Sequence, residues 1–180
     1  MHPRVLTTLV VNVVGGTSVL ASYALGFAGD PDAGEKLWGG VPAGLRPAYT
    51  VSMLLATVGY FAFTYFILFR LPPERTRVAE SFGYGLFTGL YAAILFPSAL
   101  WMPLTFRMLE APTDSLWLAT RAVLAIVGIA SVLLVAGLSS VSPREPRAAW
   151  YLAIAGATAF AVQTALLDAI VWPSYFPSAG

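Results

Sequence analysis

LWLATRAVLAIVGIASVLLVAGL, residues 116–138, runs for 23 residues with a single charged side chain, Arg121. A hydrocarbon core about 30 Å thick is crossed by roughly 20 helical residues, so this stretch has the length of one membrane passage. No water inside such a core can satisfy an open backbone, which leaves a helix or a closed barrel. Barrel strands would be about ten residues of alternating polarity, and Val51 to Phe69 shows no such alternation. The passage is therefore read as a helix.

Working outward, four more apolar stretches fit the same reading: Val5–Phe27, Ala48–Phe69, Phe82–Phe106 and Trp150–Trp172. The composition agrees, with 58% hydrophobic and 11% charged residues and a mean hydropathy of +0.75; a soluble domain carries roughly 25% charged residues. The expected architecture is an all-α integral membrane protein, a five-transmembrane-helix bundle, with residues 1–180 forming one domain. The first span is read as a membrane helix and not as a cleaved leader, because its apolar run exceeds the roughly 7–15 residues of a signal-peptide core.

The connections carry turn and cap chemistry. Leu71-Pro72-Pro73-Glu74-Arg75 stops the second helix, Pro112-Thr113-Asp114-Ser115 supplies start residues for the fourth, and Ser142-Pro143-Arg144-Glu145-Pro146 separates the last two. Only the first loop, Ala28–Pro47, is long enough to hold structure of its own, and it contains Trp38, Gly39, Gly40, Pro42 and Gly44. Arg4, Arg70, Arg75, Arg77, Arg144 and Arg147 fall on one side of a five-span topology, against Lys36, Arg46 and Arg107 on the other. By the positive-inside rule the N-terminus is expected in the cytoplasm.

Catalytic chemistry has little to work with. The only histidine is His2, there is no cysteine, and no glycine-rich phosphate loop occurs. No catalytic residue, no metal ligand set and no nucleic-acid partner is expected, and the chain is read as a non-enzyme. Gly15-Gly16, inside an apolar helix, suits close helix packing.

Polar residues within the spans are costly in lipid and call for a partner or a cavity. They are Asn12, Arg121, Gln163 and Asp168. Arg121 and Asp168 lie at depths of roughly 7 and 6 Å from the same side, at 1.5 Å of rise per residue. An ion pair between them is allowed; the alternative is that Arg121 snorkels and Asp168 sits wet at the interface. Trp101 falls in that same layer, and Pro97 and Pro103 should kink or loosen its helix and make room for a ligand. Trp101 should face the bundle interior with Phe106 capping the same cavity from its rim. Trp117, Trp150 and Trp172 fit an interfacial aromatic belt, a role that suits Trp101 equally.

Two motifs suggest a family. Lys36-Leu37-Trp38-Gly39-Gly40-Val41-Pro42 with Pro47, and Leu100-Trp101-Met102-Pro103-Leu104-Thr105-Phe106, resemble the first loop and third helix of the TspO/MBR family, the translocator proteins or tryptophan-rich sensory proteins. The chain departs from that pattern at Gly39 and Thr50, where the family has tryptophan, and at Ser98 and Asp168, near family asparagines. The resemblance implies a TspO-like bundle with an aromatic pocket toward the first loop that accepts a hydrophobic planar ligand, a tetrapyrrole such as porphyrin or haem, or a sterol-like lipid. On this chain the expected ligand-binding residues are Trp38, Pro42, Tyr49, Ser98, Trp101 and Phe106, with Arg121, Gln163 and Asp168 as the polar set.

The resemblance further implies a receptor- or carrier-like role with no required cofactor, contact with membrane lipid, a homodimer, and a bacterial cell membrane as the location. The alternatives are a small secondary transporter or lipid permease using Arg121 and Asp168 as a pathway pair, and an accessory subunit of a larger membrane complex.

Overall fold

The fold, from a computed structural model, is described over residues 1–176. Helix α1 (Pro3–Gly29) starts on a proline, whose missing N–H costs nothing in a first turn, and the imidazole Nδ1 of His2 accepts from the Arg4 N–H at 3.2 Å. A short helix, α2 (Ala33–Trp38), occupies the first loop. Helix α3 (Arg46–Arg70) is α-helical to Tyr65 and turns π-helical over Phe66–Arg70. Helices α4 (Gly85–Glu110) and α5 (Asp114–Ser140) follow. The last, α6 (Arg147–Tyr175), is α-helical over Arg147–Ala161, π-helical over Val162–Val171, and closes with a turn at Trp172–Tyr175.

Helices α1, α3, α4, α5 and α6 are each long and apolar enough to cross a membrane, which is consistent with an integral, multi-pass protein. They extend beyond the expected spans where caps allow it. Thr113 caps α5 through its hydroxyl, which accepts from the Leu116 N–H at 3.2 Å. The third span is displaced from its expected start: Phe82 lies in a turn bridged to Val78, and the helix begins at Gly85 and runs on to Glu110. It stays helical through Pro97 and Pro103, although each proline leaves a carbonyl four residues back without its usual donor.

The five helices pack in sequence around the bundle, α1 on α4, α4 on α5, α5 on α6 and α6 on α3. Phe63, Phe66, Tyr84, Phe87 and Tyr91 are fully buried and form the centre of the core in the half that bears the N-terminus. At the α3–α6 crossing Gly59 meets Gly156 backbone to backbone: a Cβ built on Gly156 would lie 2.7 Å from both the Cα and the carbonyl oxygen of Gly59. Small residues allow this approach in apolar surroundings. Gly15 packs similarly against Leu95 of α4, whereas Gly16 has open space beside it.

Polar side chains within the spans find partners across helices. Asn12 accepts from the Tyr60 hydroxyl at 2.5 Å, Thr8 and Thr88 share a hydrogen bond of 2.6 Å, and Thr164 donates to Ser131 at 2.7 Å. Large apolar residues such as Leu20, Leu25, Val58 and Phe69 stand on the outward faces, an arrangement that suits lipid and not water.

An antiparallel ribbon that sequence periodicity did not suggest joins β1 (Arg77–Val78) to β2 (Val141–Ser142). It ties the second loop to the fourth at the N-terminal end of the bundle, where His2 also approaches Glu74 at 3.7 Å. At the opposite end, the hydrogen bond from Lys36 holds the Asp30 carboxyl below its ordinary range and pushes the ammonium up.

Candidate ligand-binding cavity

A cavity of about 730 Å³ lies in the half of the bundle next to the first loop, with α1, α3, α4, α5 and α6 all supplying wall. Small-molecule pockets run to about 300–1,000 Å³, mostly apolar with a few placed polar groups. This cavity fits that description. Val19, Ile94, Leu95, Val123 and Val127 form apolar wall, and Tyr23, Tyr49, Trp101 and Trp172 bring aromatic rings to it.

The first loop supplies the cover. Leu37 and Trp38 at the end of α2 line the cavity, so the expectation that this loop holds structure of its own is met. Trp38 stands edge-on to Tyr49 with ring centroids 5.8 Å apart, while the Arg46 guanidinium lies 5.5 Å from its ring centroid. After Trp38 the chain must turn sharply, and Gly39 does so at φ 54°, a region that disfavours side-chain-bearing residues. Two hydrogen bonds then fasten the loop to the end of α6: Trp172 Nε1 donates to the Leu37 carbonyl at 2.8 Å, and the Gly40 N–H donates to the Tyr175 carbonyl at 2.9 Å.

The polar equipment comes chiefly from the π-helical part of α6. Residues five apart on an α-helix diverge by about 140° around the axis, yet Gln163 and Asp168 both line the cavity, and Gln163 Nε2 donates to Asp168 Oδ1 at 2.7 Å. The wider i→i+5 repeat of a π-helix brings them onto one face, and such segments recur at functional sites. Tyr49 supports the same turn, its hydroxyl donating to the Leu167 carbonyl at 3.2 Å. Two polar atoms here are buried without a protein partner, the indole N–H of Trp101 and the side-chain oxygen of Gln163. A buried orphan donor and a buried orphan acceptor each cost about 1–3 kcal/mol. Ser98 also lines the cavity, but its hydroxyl is spent on the Ile94 carbonyl at 2.7 Å.

Of the expected binding residues, the fold thus brings together Trp38, Tyr49, Ser98, Trp101, Gln163 and Asp168. It leaves out three. Pro42 is exposed, beyond the turn that sends the loop away from the cavity. Phe106 does not cap the rim: it packs toward Gly26 of α1, where a Cβ would lie 2.8 Å from its ring, because five residues of unbroken α-helix turn it away from Trp101. Arg121 is exposed and makes no ion pair with Asp168; it lies 6.0 Å from the ring of Trp117, one helical turn back. The snorkelling alternative describes it better, although Asp168 is not a wet terminus and keeps Gln163 as its partner. Trp172 is a further correction. Its ring is 5% exposed and packs on Trp101 and Phe176 inside the bundle, not in an interfacial belt.

This placement gives a clear expectation for Arg121→Leu: ligand affinity unchanged, and stability within about 0.5 kcal/mol of the parent, as for surface changes generally. Combined with Asp168→Asn, the two effects should add within about 0.5 kcal/mol. Detergent melting curves and titrations of both single variants and the double one measure this. A larger coupling would restore the ion pair.

The wall is incomplete on one side. α1 and α3 are bridged by the Asn12–Tyr60 hydrogen bond, but beyond it, toward the first loop, the cavity lies between them. Leu20 of α1 and Phe61 of α3 flank that gap with 73% and 67% of their surface exposed. Tyr23, Tyr60, Phe160 and Trp172 are lining residues that the sequence did not single out as ligand contacts; only their aromatic character hinted at it.

No family model, curated protein or solved structure matches the chain.

Proposed function

We propose that the protein is a membrane receptor or carrier that binds a hydrophobic, largely planar small molecule in this cavity, without catalysing its conversion. The observation that carries the reading is a cavity of about 730 Å³ walled by aromatic rings and bearing one polar pair, Gln163 and Asp168. A mostly apolar chamber with a few placed polar groups is the usual make-up of a small-molecule site, and a cavity left for packing alone would be expected to be filled or dry and apolar. The volume suits a sterol-like lipid or a tetrapyrrole ring. The resemblance of the loop and third-helix motifs to the TspO/MBR family supports the same ligand classes. The bias of basic residues toward the N-terminal end supports a cytoplasmic N-terminus, and with it a cavity in the outer half of the membrane, which the family resemblance makes a bacterial cell membrane.

The test is a titration of the purified protein in lipid nanodiscs with protoporphyrin and, separately, with cholesterol, following the fluorescence of Trp38, Trp101 and Trp172. Saturable quenching by protoporphyrin, or a saturable shift with cholesterol, is expected at stoichiometric amounts. Linear, non-saturating change with both, equal to that of empty nanodiscs carrying free tryptophan, would remove the reading.

A further inference from the structure

We propose that the cavity selects ligands through a basic nitrogen, received by Asp168, and discriminates against ligands that would place a carboxylate beside Asp168. This rests on the binding reading above and adds the chemistry of the head group.

Among the residues that line the cavity, Asp168 is the only one whose side chain ordinarily carries charge; no lysine, arginine or histidine reaches it. The nearest cations are engaged elsewhere. Lys36 pairs with Asp30 at 2.5 Å, Arg46 with Glu35 at 2.8 Å, and Arg121 is exposed beside Trp117. A carboxylate ligand would therefore enter an apolar chamber with no counter-ion and one like charge, a costly arrangement.

An ammonium group meets the opposite situation. One oxygen of Asp168 accepts from Gln163, the other has no protein partner among the described residues, and the orphan Oε1 of Gln163 stands on the same turn. The open oxygen of Asp168 thus receives an N–H donor, and a charge-assisted bond to a carboxylate is roughly twice as strong as a neutral one. Tyr23, Tyr49, Trp101 and Trp172 line the same space, and an aromatic ring attracts a cation placed over its face. The class that suits this chamber is a planar hydrophobic amine.

Three probes of one shape separate the head groups: aminomethylanthracene, anthracenemethanol and anthracenecarboxylic acid, titrated into the protein in nanodiscs and compared with empty nanodiscs. The amine is expected to bind about tenfold or more tightly than the alcohol, a step of about 1.4 kcal/mol, with the acid weakest. In Asp168→Asn, whose side chain keeps the shape and can still face Gln163, the amine should fall to the alcohol's affinity. Should that variant fail to fold, the ranking of the three probes on the parent protein decides alone. An acid that binds as tightly as the amine, or an amine preference that survives Asp168→Asn, overturns the head-group assignment. Saturable binding of the alcohol with no amine preference, or of protoporphyrin but none of the anthracenes, overturns it while leaving the binding reading standing. Absence of saturable binding by the anthracenes, protoporphyrin and cholesterol alike overturns both.

Discussion

Gly156→Ala is expected to destabilise the bundle by about 1–3 kcal/mol, the usual cost of overpacking a filled interior. The added methyl would lie 2.7 Å from the Cα and carbonyl oxygen of Gly59, and neither atom belongs to a side chain that could rotate aside. Helices α3 and α6 would have to separate along their whole crossing, pulling the adjacent Ala153 and Ala157 out of the core. A lowered melting temperature in detergent, or easier unfolding in bilayers, measures it. Gly89→Ala is the matched control. It has nothing within 4 Å of the new Cβ and removes a glycine from a helix interior, so it should hold or gain stability, by up to about 1 kcal/mol. Equal melting of the two variants would show that α3 and α6 have room for a methyl group between Gly59 and Gly156.

Trp38→Ala is expected to weaken protoporphyrin or cholesterol binding by about 1–3 kcal/mol, the scale of burying a large apolar side chain. That corresponds to roughly 5- to 150-fold in Kd. The indole lines the cavity at the end of α2, held between Tyr49 and the Arg46 guanidinium, and the loop that carries it is fastened to the end of α6. Its removal opens the cavity at its mouth without touching the floor. Trp38→Phe should retain most of the affinity, because edge-on packing against Tyr49 needs a ring and not an indole N–H. Unchanged affinity in the alanine variant would leave α2 as a tether only.

The five helices were legible because length and apolar content suffice to recognise a membrane passage, and the caps at Thr113 and the prolines after Leu71 set limits close to those observed. The polar residues were legible as a set, since each is expensive in lipid, but their partners were not. Depth along the axis suggested Arg121 for Asp168; the angle around it decides otherwise, and the angle depends on whether the helix is α or π. Nothing in Val162–Val171 announces a π-helix, so the meeting of Gln163 with Asp168 could not be read. The reverse error occurred on α4, where a kink was expected to reconcile Trp101 with Phe106 and the helix instead continues through Pro103. The β1–β2 ribbon, with two residues in each strand, is too short to impress any periodicity on the sequence.

The gap between Leu20 and Phe61 bears on how an affinity for this protein is to be expressed. A cavity reached from the side of the bundle draws on solute dissolved in the surrounding lipid, which acts as a reservoir. Each buried methylene favours that reservoir by about 0.8 kcal/mol, so a hydrophobic compound is far more concentrated there than in the buffer. Occupancy then follows the mole fraction of compound in lipid. Doubling the lipid at fixed protein dilutes the reservoir and should raise the apparent Kd stated against total compound, while the mole-fraction constant stays put. At equilibrium the mole fraction in lipid and the free aqueous concentration are tied by partition, so occupancy is the same whether entry is from the side or through the first loop. The two routes part company in how fast binding responds: with entry from the side, loading should speed up with the amount in lipid, and blocking the seam at Leu20 and Phe61 with bulkier residues should slow it without moving the mole-fraction constant.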